Sequence, residues 1–242
     1  MASSPTVTSH NEAQRHYFEE RPLPRMAPGD SPYLNRQVDV AVAALGLAPG
    51  ARVVEVGCGM GRYTFLLAKR GLQVEGLDLS PVLLERLARH DGGRYGIPLH
   101  AADLQNLSDD LAGRFDAVVG FFMLHHIKDL AGCFAGVARL LRPGGRAAFV
   151  EPNPLHVGYY VQIAVSPGMT WAGDRGIVDM RPAKIARAMR AGGLAEPRTK
   201  RFGFLPPVLA NRPWGARLER GLERVAPLRP VSAFQLFQAA KR

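Results

Sequence analysis

The chain has 242 residues, 47% of them hydrophobic and 21% charged, which suits one sizeable folded domain with a modest cap. No apolar run reaches the ~20 residues of a membrane span, and two cysteines, Cys58 and Cys133, are too few for a disulfide scaffold or a metal cluster. The formal net charge is +10, and residues 181 to 242 hold 14 Lys and Arg against three acids, so the rest of the chain is close to neutral.

The first nine residues lack the basic start and apolar core of a signal peptide. They read as a disordered tail, and a reducing, cytoplasmic setting is expected. A short helix is predicted over Asn11 to Glu20, followed by a Pro-rich link (Pro22, Pro24, Pro28, Pro32). Leu34, Val38, Ala41 and Leu45 then fall on one helical stripe, stopped by Gly46 and Pro49-Gly50. From Arg52 strands and helices alternate. Strands are expected at 52–56, 73–79, 97–101, 116–122 and 146–150. Helices are expected at 62–70, 81–90 with Ser80 as N-cap, and 130–141. This rhythm predicts a parallel sheet wrapped by helices.

After Glu151 the rhythm changes. Residues 152–181 read as a long, aromatic-rich connection, followed by a helix at 182–191. Two late strands, 199–205 and 233–239, flank a helix at 214–225 whose Leu218, Leu222 and Val225 form a stripe opposite arginines. The expected organisation is an N-terminal segment, 1–46, covering a cofactor site. The main domain is 47–242, with cap insertions at 152–181 and 206–230. The arginines of the last third are spread out, which reads as a solvated basic surface. The functional alternative is an anionic substrate, an acidic carrier, a membrane surface or RNA.

The chemistry centres on Glu55-Val56-Gly57-Cys58-Gly59-Met60-Gly61. Glycines between a strand and a helix allow a tight turn and close approach of a ligand. The spacing is Gly-x-Gly-x-Gly and not the Gly-x-Gly-x-x-Gly that cradles a pyrophosphate. Glu55 would repel a pyrophosphate and support a cationic ligand. Asp78, ending the second strand, suits the two hydroxyls of a ribose. Asp103, after the third strand, is placed to accept an adenine amino group.

Five segments carry a resemblance in order: Val53 to Gly61, Gly76 to Ser80, Ala102-Asp103-Leu104, Phe115 to His126, and Leu140 to Gly145. The chain resembles the class I methyltransferases that use S-adenosylmethionine (SAM), above all the broad type 11 group, over residues 48 to 151. The resemblance implies a Rossmann-like, doubly wound α/β sheet of seven strands, the last antiparallel. It implies SAM contacts at Gly57, Gly59, Asp78, Leu79, Asp103, Leu104 and Phe121.

Methyl transfer from a sulfonium needs alignment, exclusion of water and, for some acceptors, removal of a proton. His125 is the first candidate base, since an unperturbed imidazole titrates near pH 6.5. The resemblance to phosphoethanolamine-type methyltransferases implies a partner tyrosine from the N-terminus, here Tyr17. Glu151, ending the fifth strand, is the second candidate base. His126, His156, Tyr159, Tyr160 and Trp171 are expected along the acceptor pocket. Each has a bland alternative in ordinary packing or loop hydrogen bonds. No His/Asp/Glu set has metal-ligand spacing.

The expected function is methylation of a small molecule at O, N or C, with an anionic acceptor compatible with the basic last third. An RNA or protein methyltransferase is the alternative enzyme. Against RNA, strand four ends in Gly120-Phe121-Phe122-Met123, not in the Asn/Asp-Pro-Pro-aromatic motif of enzymes that methylate nucleic-acid amines. A SAM-binding partner protein without turnover is the non-enzyme alternative. Glu55 and the glycine spacing argue against a nicotinamide oxidoreductase.

Overall fold

The computed structural model describes residues 7–20, 26–165, 171 and 175–242. Pro22, Pro24, Pro167, Gly168 and the first six residues lie outside the described residues. The strands are β1 (Arg52–Val56), β2 (Gln73–Asp78), β3 (Leu99–Ala101), β4 (Phe115–Phe121), β5 (Leu141–Pro152), β6 (Arg198–Phe202) and β7 (Phe234–Ala240). The helices described are α1 (Val7–Glu20), α2 (Pro32–Leu45), α3 (Thr64–Ala68), α4 (Pro81–Asp91), α5 (Leu130–Leu140), α6 (Val157–Val165), α7 (Pro182–Ala191), α8 (Pro207–Ala210) and α9 (Gly215–Arg224).

All seven strands join one sheet in the order β3-β2-β1-β4-β5-β7-β6. β1 to β5 run parallel, and β7 lies antiparallel between β5 and β6. This is the Rossmann-like, doubly wound α/β sheet with an antiparallel last strand. Alternate residues of the central strands feed two cores. Val118 and Phe149 pack with Phe134, Val137, Ile185 and Met189 of α5 and α7. Ala117, Val119 and Val150 pack with Leu34, Val38, Ala41 and Leu45 of α2. Burial on both faces explains why β4 reads as an unbroken apolar run from Ala117.

Local chemistry sets the helix ends. The Ser31 and Ser80 side chains accept from the N–H groups of Leu34 and Leu83, each ahead of a proline at the first helical position. Gly46 closes α2 in the left-handed conformation at φ +64°. Strand order reverses between β1 and β4, so a crevice opens at their carboxyl ends, where doubly wound sheets bind ligands.

Three features differ from expectation. Helix α1 starts at Val7, four residues early. The connection 152–181 contains a helix, α6, with the apolar sequence VGYYVQIAV that carries no polar face to mark it. The amphipathic helix α9 is turned the other way: Leu218 and Val225 are exposed while Glu219 is buried.

Candidate active site

The crevice holds a cavity of about 960 Å³. That is the upper end of the ~300–1,000 Å³ typical of small-molecule sites, room for a cofactor and an acceptor together. Its floor is the loop after β1. Gly57 (φ +68°) and Gly59 (φ +53°) both adopt left-handed backbone. A Cβ at Gly57 would lie 2.9 Å from the Cβ of Met123, so this glycine also lets two loops touch. A Cβ at Gly59 would meet nothing nearer than the flexible tip of Met26 at 3.7 Å. The Gly59 backbone is therefore open to a ligand.

Three acids surround the loop. Glu55 is buried, and the Thr64 hydroxyl donates to it at 2.6 Å. Burial, aided by the nearby Asp78 charge and opposed by the Thr64 bond, pushes its pKa up to about 8. Asp78 accepts from Gly59 N–H (2.8 Å) and Ser80 N–H (2.9 Å), which fixes its carboxylate at the tip of β2. Burial raises its pKa against those two bonds. Asp103 accepts from Gln105 N–H at 3.0 Å and from the Asn11 amide at 2.7 Å. Leu79, Leu104 and Phe121 line the same cavity.

The site has a cover. Asn11, Gln14, Arg15 and Phe18 of α1 all face the cavity. Asn11 ties α1 to Asp103, Glu19 accepts from the Ser80 hydroxyl at 2.7 Å, and His10 contacts the His126 carbonyl at 2.9 Å. Phe18 packs edge-on against His126.

On the acceptor side the chain leaves β4 through Phe122, the one non-glycine among the described residues with positive φ (56°). Its N–H donates to Val150 O at 2.8 Å. Glu151, buried at the end of β5, then organises the turn. One carboxylate oxygen accepts from Met123 N–H (2.8 Å) and Leu124 N–H (2.7 Å); the other lies 2.6 Å from His125 Nδ1. His125 is buried but lines the cavity. With Nδ1–H donated to Glu151, the lone pair sits on Nε2, as a proton acceptor requires. Gly176 permits this packing, since a Cβ there would collide with the His125 carbonyl oxygen.

His126, His156 and Tyr159 line the cavity too. Four expectations are corrected. Glu151 spends its carboxylate on two N–H groups and His125 and is not on the cavity wall; it positions the histidine and does not face an acceptor. Tyr17 packs against Phe18 and is not on the wall; one residue along α1 rotates the side chain by about 100°, and Phe18 takes the place. Tyr160 donates its hydroxyl to Pro154 O at 2.8 Å and packs beside Trp171, which is exposed; neither lines the cavity.

Gln37, Tyr63, Phe204 and Phe234 are wall residues that escaped the sequence reading. Gln37 is buried on α2, where its Oε1 accepts from the Tyr63 hydroxyl at 2.6 Å. Its signal was a polar residue beside an apolar stripe. Tyr63 stacks on Phe121 (centroids 4.3 Å), and Phe122 and Phe204 extend the aromatic wall to Phe234. Among the described residues no three His, Cys, Asp or Glu side chains cluster as a metal site requires.

The donor set fits SAM. The Gly59 backbone is open to a ligand, and Glu55, Asp78 and Asp103 line the cavity as the residues that would meet the cationic end, the ribose hydroxyls and the adenine amine of SAM.

Comparison with known proteins agrees. Residues 54–149 match the family model described as a methyltransferase domain. The chain is 31% identical over 182 residues to a ubiquinone biosynthesis O-methyltransferase of Aromatoleum aromaticum, covering 73% of this chain and 74% of that one. It is 32% identical over 163 residues to the protein of that name from Methylococcus capsulatus, covering 65% and 68%. Among solved structures, a SAM-dependent methyltransferase of Thermotoga maritima, described as a possible histamine N-methyltransferase, superposes with a TM-score of 0.61 at 17% identity over 95% of this chain and 100% of that one. Phosphoethanolamine N-methyltransferase 2 of Haemonchus contortus, solved with SAM, superposes at 0.62 and 18% identity over 98% of this chain and 57% of that one. At such identities these two speak for the fold. The sheet, the acid-flanked glycine loop and the relatives lead to one conclusion: the chain belongs to the SAM-dependent methyltransferases.

Proposed function

We propose that this enzyme transfers the SAM methyl group to a hydroxyl oxygen of a small, largely apolar acceptor, with His125 Nε2 taking the hydroxyl proton. The observation that carries the reading is the 2.6 Å contact from His125 Nδ1 to buried Glu151. It orients the ring and fixes its tautomer. The wall of Phe122, Phe204, Phe234 and Tyr159 suits a phenolic or other apolar alcohol. The O-methyltransferase relatives support the choice of atom.

SAM, when bound, supplies an electrophilic methyl group on a good leaving group. The chain does the rest. The glycine loop and Asp78 hold the cofactor, α1 and the aromatic wall exclude water, and His125 takes the proton. The resulting imidazolium is stabilised by the Glu151 carboxylate. Arg62 on the same wall gives an anionic group of the acceptor a cation to face.

The test is turnover of labelled SAM with matched phenol and amine acceptors. Phenols are expected to be methylated and amines not. His125→Ala is expected to lower kcat by about 10²–10⁴-fold, the usual range for a general base, with SAM affinity nearly unchanged. Parallel losses in both quantities would refute the assignment.

A further inference from the structure

We propose that the outer face of α9, with the residues flanking it, docks this protein on an anionic phospholipid surface. That helix is inverted relative to its apolar stripe, a feature separate from the acceptor pocket. α9 carries two acids, Glu219 and Glu223, and both turn inward. Glu219 accepts from Phe204 N–H and Leu205 N–H at 2.9–3.1 Å. Glu223 accepts from Gly203 N–H at 3.1 Å and pairs with Arg36 at 2.6 Å. These bonds fix the face that α9 presents to the body of the protein.

What remains outside is apolar and cationic at once. Trp214, Leu218 and Val225 share one stripe at a spacing of four and seven residues, and they are 49%, 42% and 44% exposed. Arg217, Arg220 and Arg224 lie together on the side of the helix away from the two glutamates, also exposed. Among the described residues no acid pairs with them or with Arg212. From residue 197 to the end the chain holds ten Lys and Arg and two acids, and those two are buried Glu219 and half-buried Glu223, both engaged by the body of the protein. Val208 on neighbouring α8 adds an apolar side chain 64% exposed.

A soluble face would mix charges of both signs and hide its tryptophan. An apolar stripe beside unpaired arginines is the composition that lies in the plane of a membrane interface. The positive charge selects anionic headgroups. The mode is surface docking, since among the described residues no helix is long and apolar enough to cross a bilayer. Geometry places the consequence at the site: the loop that Glu219 holds continues into Leu205, Pro206 and Pro207, which line the cavity.

The experiment uses the full chain with Trp171→Phe, which leaves Trp214 as its one tryptophan. It is titrated with vesicles of phosphatidylglycerol in phosphatidylcholine, and with phosphatidylcholine alone. Expected are a blue shift of Trp214 emission and its quenching by brominated chains in the anionic vesicles, both weakening as salt is raised. Each of Arg217→Gln, Arg220→Gln and Arg224→Gln is expected to weaken partition about fivefold, from the ~1 kcal/mol per basic residue at such surfaces. Leu218→Ser weakens it without changing the salt slope. SAM affinity and thermal melting of the variants, measured without lipid, should match the parent. No partition into anionic vesicles at low salt would overturn the proposal. So would equal partition by the parent and all four variants, or RNA binding of similar salt dependence without vesicle quenching of Trp214.

Discussion

Glu55→Gln removes one charge while keeping the side chain's shape, and its effect on cofactor binding is calculable. With its pKa pushed up to about 8, Glu55 is about one-tenth ionised at pH 7 in the cofactor-free protein. A cationic ligand that draws on the ionised form must first expel the proton. SAM affinity should therefore rise about tenfold per pH unit up to pH ~8 and then level off, with about 0.9 proton released per SAM at pH 7. Calorimetry in two buffers of different ionisation enthalpy counts that proton. The quantity to read is wild type minus Glu55→Gln, which cancels the titration of the ligand's own amine. The stability sign runs the same way. The folded protein holds this proton more tightly than the unfolded chain, whose Glu titrates near 4.5. The stabilisation is complete below pH 4.5 and is lost as pH climbs through about 8, on the order of 5 kcal/mol across the window. Melting of the cofactor-free Glu55→Gln variant should lack that slope. Equal proton release and equal pH slopes in the two proteins would refute the idea that Glu55 meets the cofactor's charge.

Two further outcomes follow from the geometry. Gly57→Ala is expected to destabilise the fold by about 1–3 kcal/mol in denaturant titration, since the new methyl group meets Met123 at 2.9 Å in a left-handed conformation; SAM binding should weaken with it. Glu219→Ala strips two backbone N–H groups of their acceptor at the cavity rim. It is expected to cost about 2 kcal/mol and to raise KM for the acceptor more than the dissociation constant of SAM. An effect on SAM alone would place the 203–207 loop at the cofactor instead.

Much of this molecule was readable before its structure. β1, β2, β4 and β7 lie within a residue of the expected strands, because burial on the sheet leaves apolar runs between glycine and proline punctuation. Glu55, Asp78 and Asp103 were readable as acids at or just beyond the ends of β1, β2 and β3, positions that sequence order fixes. What failed depends on pairings across the fold. Glu151 and His125 are 26 residues apart, and only the alignment of β4 with β5 brings the two candidate bases into one hydrogen-bonded pair. Tyr17 and Phe18 differ by the rotational setting of α1, which tertiary contacts decide. α9 misled because periodicity gives a stripe but not which stripe faces in. Three backbone N–H groups of residues 203–205 needed acceptors, and satisfying them outweighed burying Leu218.

The positive φ of Phe122 bears on how such an enzyme can change over evolutionary time. A bulky residue held there costs about 1–2 kcal/mol that glycine would not. Yet its ring stands between Tyr63 and Phe234 on the cavity wall. Drift toward a more heat-resistant fold would favour Gly or Asn at this position, while selection for the acceptor would hold the ring. Phe122 is thus a place where the two pressures oppose each other. A lineage that took up a bulkier acceptor could shed the ring and gain stability in the same step.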